Sequence, residues 1–284
     1  MDDPHLLPAR AREAGRLRTV SSRQNALVKE LRRAFAHAEG SADSYCAIEG
    51  LRIIEEAVRS GARFRAVFFA ESARQKAHRL LPQISSHAEA LVLPDEVFHS
   101  AVATETPQGV AALVKLRQFT LEDVLNGSSP LIVVAAGVQD PGNLGTIIRS
   151  GEAFGVSGVL LAEHTVAHLN PKAVRASAGS LFRLPVVRME LEEAIRALRD
   201  RDIRLLATSS HKGTPLDAAD LAQPAAIFIG SEGSGLPRRA MAQMDELIAI
   251  PHSERVESLN AGVAASIVLY EAARQRKAAI SDKQ

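Results

Sequence analysis

The sequence predicts an α/β protein of two successive domains. Continuous apolar runs of strand length alternate with stretches whose apolar residues recur every three or four positions, the pattern of strands and helices layered on a sheet. The alternation breaks at residues 117–129 (RQFTLEDVLNGSS), where polar and turn-forming residues collect ahead of Pro130. A chain of 284 residues is long for one compact core, which agrees with the division. The expected layout is a basic tail at 1–18, a small α/β domain at 19–116, a linker at 117–129 and a second α/β domain at 130–284.

In the first domain, Ser21 or Ser22 caps a helix that carries Leu27, Val28, Leu31 and Phe35 at helical spacing. A short apolar stretch at 45–48 turns at Glu49-Gly50 into a second helix, with Leu51, Ile54 and Val58 on one face and Gly61 as its stop. Strands are expected at 64–70, 90–93 and 110–116, with helices at 73–81 and 95–102 between them. In the second domain, the run 131–136 reads as a buried parallel strand. Helices are expected at 143–154, at 170–177 with Pro171 in the first position, and at 191–201, 237–244 and 258–276. The strands between them fall at 158–162, 186–187, 204–207, 225–229 and 247–250.

Composition narrows the function classes. With 46% hydrophobic residues the chain is globular rather than disordered. The net charge of +1 hides a local excess: Arg10, Arg12, Arg16, Arg18, Arg23, Lys29, Arg32 and Arg33 stand against only Glu13 and Glu30, which marks a solvated, partly disordered arm or a nucleic-acid contact. Cys46 is the single cysteine, so neither a disulfide within the chain nor a cysteine-based metal site is expected. His164 and His168 lack a third ligand nearby in sequence, and no metal is expected. No apolar run is long enough to span a membrane and no signal-peptide core is present at the start, which makes a cytoplasmic protein the expectation.

Three stretches of the second domain share one plan, an apolar strand followed by a loop rich in Gly and short polar residues and then a helix start. In VQDPGNLGTIIRSGEAFG (138–155), Asn143 stands where it can cap a helix, and Arg149 follows six residues later in an apolar setting. Such a charge needs a partner: an acid of the protein, or a phosphate, which the guanidinium fork suits. In FIGSEGSGLP (228–237), Gly230, Gly233 and Gly235 permit close backbone approach, but neither GxGxxG nor the GK[ST] ending of a P-loop is present. Glu232 would repel a phosphate there, which points to a neutral or positive ligand group. In IAIPHSERVESLNAGVAASIVLY (248–270), Ser258, Leu259 and Asn260 lead into a small-residue helix.

Taken together, the NLGTIIR and AFG segments at 143–155, FIGSEGSGLP and IPHSERVESLNAGVAA at 250–265 resemble the SpoU (TrmH-like) family of RNA 2′-O-ribose methyltransferases of the SPOUT superfamily. The stretches VSSRQNALVKELRRA and IEGLRIIEEAV resemble, more loosely, the family's RNA substrate-binding domain. The resemblance implies a C-terminal sheet flanked by helices and threaded as a trefoil knot, which periodicity cannot reveal. It implies S-adenosyl-L-methionine as cofactor, held at Gly230, Ile250 and Leu259 with Thr208 beside them. It carries catalytic positions over to Arg149, Asn143, Glu232, Ser258 and Asn260. The implied partners are RNA, ribosomal RNA ahead of tRNA, and a second copy in a homodimer with the site near the subunit interface. Arginine is a poor proton acceptor at neutral pH, so positioning plus electrostatics is the role expected of Arg149.

This chain departs from the family at His252-Ser253-Glu254-Arg255, where a small Gly-containing loop is usual, and at Ala261-Gly262, where Val and a small residue are usual. The alternative of another class is a catalytically silent RNA-binding protein of the same fold acting in ribosome assembly. Retention of Asn143, Arg149, Glu232, Ser258 and Asn260 argues against it. A dinucleotide-binding enzyme is disfavoured by the missing fingerprint.

Overall fold

The computed structural model describes residues 16–36 and 45–281. The chain falls into two compact units, one up to Gln118 and one from Phe119 on, with Leu169–Pro171 counted with the first.

The first unit is a mixed five-stranded sheet in the order β1-β4-β3-β5-β2, built from β1 (Leu17–Thr19), β2 (Cys46–Glu49), β3 (Arg63–Ala70), β4 (Glu89–Leu93) and β5 (Val110–Lys115). β1, β4 and β3 run parallel, whereas β5 is antiparallel to both β3 and β2. Helix α1 (Ala26–Ala36) lays Leu27, Val28, Leu31 and Phe35 against Phe68, Leu91 and Leu113 of the sheet, so its three- and four-residue spacing is read out as one buried stripe. Helix α2 (Leu51–Arg59) follows β2, and its buried residues are Ile53, Ile54, Glu55 and Ala57; Leu51 and Val58 sit at the rim of the face expected for them. Instead of one helix at 73–81 there are 3₁₀ turns at Glu71–Lys76 and Leu81–Gln83 around the four-residue α3 (Ala77–Leu80). Pro82 in the second of these turns removes an N–H donor and so stops the α-helix. A short α4 (Asp95–His99) follows β4.

Of the tail expected at 1–18, residues 1–15 lie outside the described residues, while Leu17 and Arg18 belong to β1. Strand β1 pairs Leu17 and Arg18 with Ala90 and Leu91. Arg16 donates to the carbonyls of Leu81, Ile84 and Ser85 at 3.0, 3.2 and 2.8 Å, and Arg18 pairs with Glu89 at 2.9 Å. At least these two cations of the basic run therefore serve the fold of the unit itself.

The second unit opens with α5 (Leu121–Val124), inside the stretch expected to be a linker. Its four residues are held by a capping box in which the Thr120 side chain and Asp123 satisfy each other's N–H groups. Val124 and Leu125 are buried in the core of this unit, so the polar composition of 117–129 concealed two core residues.

A seven-stranded sheet follows, with every pair parallel, in the order β10-β12-β9-β11-β6-β7-β8. The strands are β6 (Leu131–Ala135), β7 (Gly158–Leu161), β8 (Val186–Arg188), β9 (Arg204–Ser209), β10 (Thr214–Pro215), β11 (Ala225–Ile229) and β12 (Glu246–Ala249). The two-residue β10 carries no periodic signal. Its place is fixed by Gly213 (φ 111°), where a Cβ would come within 2.2 Å of the Leu247 carbonyl oxygen, so only glycine brings the chain this close to β12. β6 and β11 are buried along their whole length, as continuous apolar runs require in a sheet covered on both faces.

The helices are α6 (Pro141–Ala153), α7 (Pro171–Ala176), α8 (Leu191–Arg199), α9 (Arg238–Met241) and α10 (Ala261–Ser281). The last starts at Ala261 rather than Ser258 and runs on to Ser281. Its far half is tied down by side chains. Gln275 accepts from Leu221 N–H at 2.8 Å and donates to the Ala219 carbonyl at 2.9 Å. The Arg276 guanidinium donates to the carbonyls of Ser129, Leu221 and Gln223 at 2.6, 2.9 and 2.5 Å. Among the described residues, no helix is long and apolar enough to cross a membrane.

Candidate active site

In a parallel sheet, ligands gather beyond the carboxyl ends of the strands, where the connecting loops diverge. β9, β11 and β12 are neighbours, and their following loops enclose a cavity of about 450 Å³. It is lined by Thr208 and Ser209 at the end of β9 and Ser210 after it, by Gly230 to Gly235 after β11, and by Ile250, His252, Glu257, Ser258 and Leu259 after β12. Thr208, Gly230, Glu232, Ile250, Ser258 and Leu259 were all singled out from the sequence, and all six line this one cavity. Asn143, Asn260 and Arg149 do not; the first two reach it through hydrogen bonds.

The loop after β11 is shaped by its glycines. A Cβ on Gly230 would lie 2.4 Å from the Gly235 carbonyl carbon and 2.6 Å from Leu236 N. Ser231 and Gly235 close the loop with reciprocal backbone bonds of 3.2 and 3.0 Å, helped by Gly235 at φ 66°. Ser231 and Ser234 join their hydroxyls at 2.8 Å. Glu232 is thereby held at the tip of a closed loop.

Helix α6 starts differently from expectation. The cap is Asp140, not Asn143: the Asp140 side chain accepts from Asn143 N–H at 2.9 Å, and Pro141 takes the first helical position, where its missing N–H costs nothing. The Asn143 side chain is therefore free for other work. Its Nδ2 donates to Glu232 Oε1 at 2.8 Å, and its Oδ1 accepts from Asn260 Nδ2 at 2.8 Å. Asn260 in turn caps α10, accepting from Val263 N–H at 3.1 Å. One carboxamide ties the starts of two helices to the loop that carries Glu232.

Arg149 lies on α6 directly after the fully buried Ile147 and Ile148, yet it is itself exposed. Among the described residues it has no hydrogen bond or ion pair, and none of their acids pairs with it. Next to it, Ser150 and Ser266 share a hydrogen bond of 2.7 Å, and a Cβ on Gly262 would lie 3.1 Å from Thr146 Cβ. Small residues thus let α10 lie close against α6. This gives the Ala261-Gly262 departure a physical reason: Gly262 meets α6, and Ala261 lines the cavity.

The other departure also has a definite shape. His252 Nδ1 lies 2.7 Å from the Ile250 carbonyl, which can only accept, so Nδ1 carries the proton. The imidazole stacks on His211 with centroids 4.8 Å apart at 28°. Together with Glu254 the two rings line a second cavity of about 480 Å³ that shares Ser210, Ile250 and His252 with the first. His211 stands alone in a polar loop and gave no signal in the sequence. Asp140 did have one, since an acid directly ahead of a proline is a helix-start pattern.

The cavity suits a positively charged ligand. Two carboxylates, Glu232 and Glu257, line it, and no Lys or Arg does. S-adenosyl-L-methionine, with its sulfonium, matches that charge, and about 450 Å³ falls in the range of cofactor pockets. Thr208 lines the wall while its hydroxyl donates to the Phe228 carbonyl at 3.2 Å, so toward a ligand it has lone pairs to offer. Among the described residues no group of three or more His, Cys, Asp or Glu side chains could hold a metal ion. Burial, reinforced by the Arg188 charge, pushes the His168 imidazole down to about 4.

Residues 130–270 match the SpoU rRNA methylase family, and residues 25–112 match the MRM3-like substrate binding domain. The chain is similar to an uncharacterized tRNA/rRNA methyltransferase of Synechocystis, at 33% identity over 266 residues that cover 92% of this chain and 95% of the relative. It is similar to the 23S rRNA (guanosine(2553)-2′-O)-methyltransferase RlmP of Bacillus subtilis, at 28% identity over 254 residues, 89% of this chain and 98% of the relative. Among solved structures it is similar to the SpoU methyltransferase AviRb from Streptomyces viridochromogenes in complex with AdoMet. The TM-score is 0.79 and the identity 29%, covering 89% of this chain and 99% of that one.

Proposed function

The chain belongs to the SpoU rRNA methylase family, and from that premise we propose that it transfers a methyl group from S-adenosyl-L-methionine to a ribose 2′-hydroxyl of RNA, ribosomal RNA rather than tRNA. The observation that carries the reading is the meeting of three loops around one acid-lined cavity, with Asn143 bridging Glu232 and Asn260 at its edge. Support for ribosomal RNA comes from the substrate-binding domain at 25–112 and from the 23S rRNA activity for which RlmP is named.

When bound, S-adenosyl-L-methionine supplies a methyl group on a sulfonium, which leaves as neutral S-adenosylhomocysteine. Thr208, Gly230, Ile250 and Leu259 form the walls that would hold it, and the Glu232 and Glu257 carboxylates balance its charge. Arg149, exposed and without an acid partner among the described residues, is the group to take an RNA phosphate next to the target ribose and to stabilise the alkoxide as the 2′-proton passes to that phosphate or to water. Asn143 and Asn260 fix the Glu232 carboxylate, and Ser258 adds a hydroxyl at the same edge. Calorimetry with S-adenosyl-L-methionine is expected to give saturable binding at one site per chain; no heat at millimolar cofactor would remove the enzyme reading and leave a silent RNA-binding protein.

The same reading includes a trefoil knot formed by the loops around the cavity and a homodimer. The dimer has a surface to use: Val263, Ile267 and Tyr270 follow one another along a face of α10 and are 48, 37 and 57% exposed, with Tyr270 packed edge-on against Phe154 at 5.8 Å. Sedimentation should give a dimer that Ile267→Asp converts to monomer, and a dimeric variant would move the interface elsewhere. A backbone-circularised chain, once denatured, should migrate as a knotted ring, unlike an unknotted circle of equal length. The reading also includes a cytoplasmic location, which cell fractionation checks.

A further inference from the structure

Two charged residues outside the carried-over catalytic set hold the start of α6. Asp140 Oδ1 accepts from Asn143 N–H at 2.9 Å, and its Oδ2 accepts from Lys172 Nζ at 2.7 Å. Lys172 comes from α7, which is pressed onto α6 where a Cβ on Gly145 would lie 2.5 Å from the Ala173 carbonyl oxygen. A cation placed at the first turn of a helix opposes the positive end of the helix dipole. Its presence there makes sense through Asp140, whose carboxyl is held below the usual range by Lys172 first and by the Asn143 N–H second.

The orientation of Asn143 depends on this anchoring. Asn260 Oδ1 is turned to Val263 N–H, so the end of its amide that faces Asn143 is the NH₂. Asn143 must then present its oxygen to Asn260 and its NH₂ to Glu232; the flipped amide would set NH₂ against NH₂ and oxygen against carboxylate. Any slack in the first turn of α6 therefore moves Glu232 at the edge of the cavity.

We propose that Asp140 and Lys172 act as a positioning pair for methyl transfer, fixing the first turn of α6 so that the Asn143 carboxamide holds Glu232 and Asn260 in register. The inference rests on the methyltransferase reading for its kinetic consequence, and on geometry alone for its structural one. Lys172→Met removes the charge and keeps the length of a side chain that is 58% exposed, so the fold survives. Its kcat is expected to fall roughly tenfold while the Kd for S-adenosyl-L-methionine stays within about twofold, and Lys172→Arg is expected to recover most of the loss. Asp140→Asn keeps a cap acceptor but not the ion pair; it should cost a similar factor, and combining it with Lys172→Met should add little.

The Asn143 side-chain NH₂ signals, followed by NMR, are expected to shift in Lys172→Met and return in Lys172→Arg. Wild-type kcat in Lys172→Met, or full additivity of the two substitutions, overturns the inference. So do unchanged Asn143 signals, and they do so even if the wild-type chain transfers no methyl group, a result that would count against the methyltransferase reading instead.

Discussion

Arg149→Lys is expected to lower kcat for RNA methylation on the order of a hundredfold while cofactor affinity stays within about twofold. The charge is conserved in this variant, so the loss isolates the planar fork that grips phosphate through two bonds at once. Arg149 is suited to such a test because it is exposed and, among the described residues, makes no bond that the substitution could break. It also lies outside the cavity lining, which is why cofactor binding should survive. Single-turnover rates and calorimetry on the same preparation separate the two quantities. Near-normal turnover would show that the guanidinium has no special role and that any cation at this position suffices.

Gly230→Ala is expected to weaken cofactor binding by at least about a hundredfold. The added Cβ would lie 2.4 Å from the Gly235 carbonyl carbon, and backbone cannot swing aside as a side chain can. The loop would have to open, parting the Ser231–Gly235 bonds and carrying Glu232 away from Asn143. Because β11 itself ends at Ile229, the sheet should remain folded and melt cooperatively. Wild-type affinity in this variant would mean that the cavity between the loops is not the cofactor site.

Much of the architecture was legible because burial imposes a period on the sequence. The stripe Leu27, Val28, Leu31 and Phe35 announces α1, and the apolar run from Leu131 to Ala135 announces a strand covered on both faces. What escaped depends on contacts remote in sequence. β10 has two residues and exists because Gly213 lets it approach β12. Val124 and Leu125 lie in a stretch too polar to betray two core positions.

The site shows the same limit. Gly230 and Glu232 were readable from a strand end followed by glycines, and Ser258 and Leu259 from a helix start, whereas Thr208 and Ile250 came only from the family resemblance. The bonds that organise the edge join Asn143 to residues 89 and 117 positions away, and no local pattern encodes them. The basic run from Arg10 to Arg33 misled in part, because composition does not distinguish a cation facing RNA from one, like Arg16, that donates to carbonyls of its own unit. Asn143 was read as a cap because Asn favours that position. Asp140 holds it instead, and the exchange frees the carboxamide on which the site depends.

The measurement that tests the central claim most directly is a map of 2′-O-methylated nucleotides in total RNA from cells with and without this protein. The account predicts that one ribose methylation in ribosomal RNA disappears when the protein is removed and returns with the wild-type chain but not with Arg149→Lys. Identical maps in the two cells, or a lost methyl group that proves to sit on a base, would contradict it.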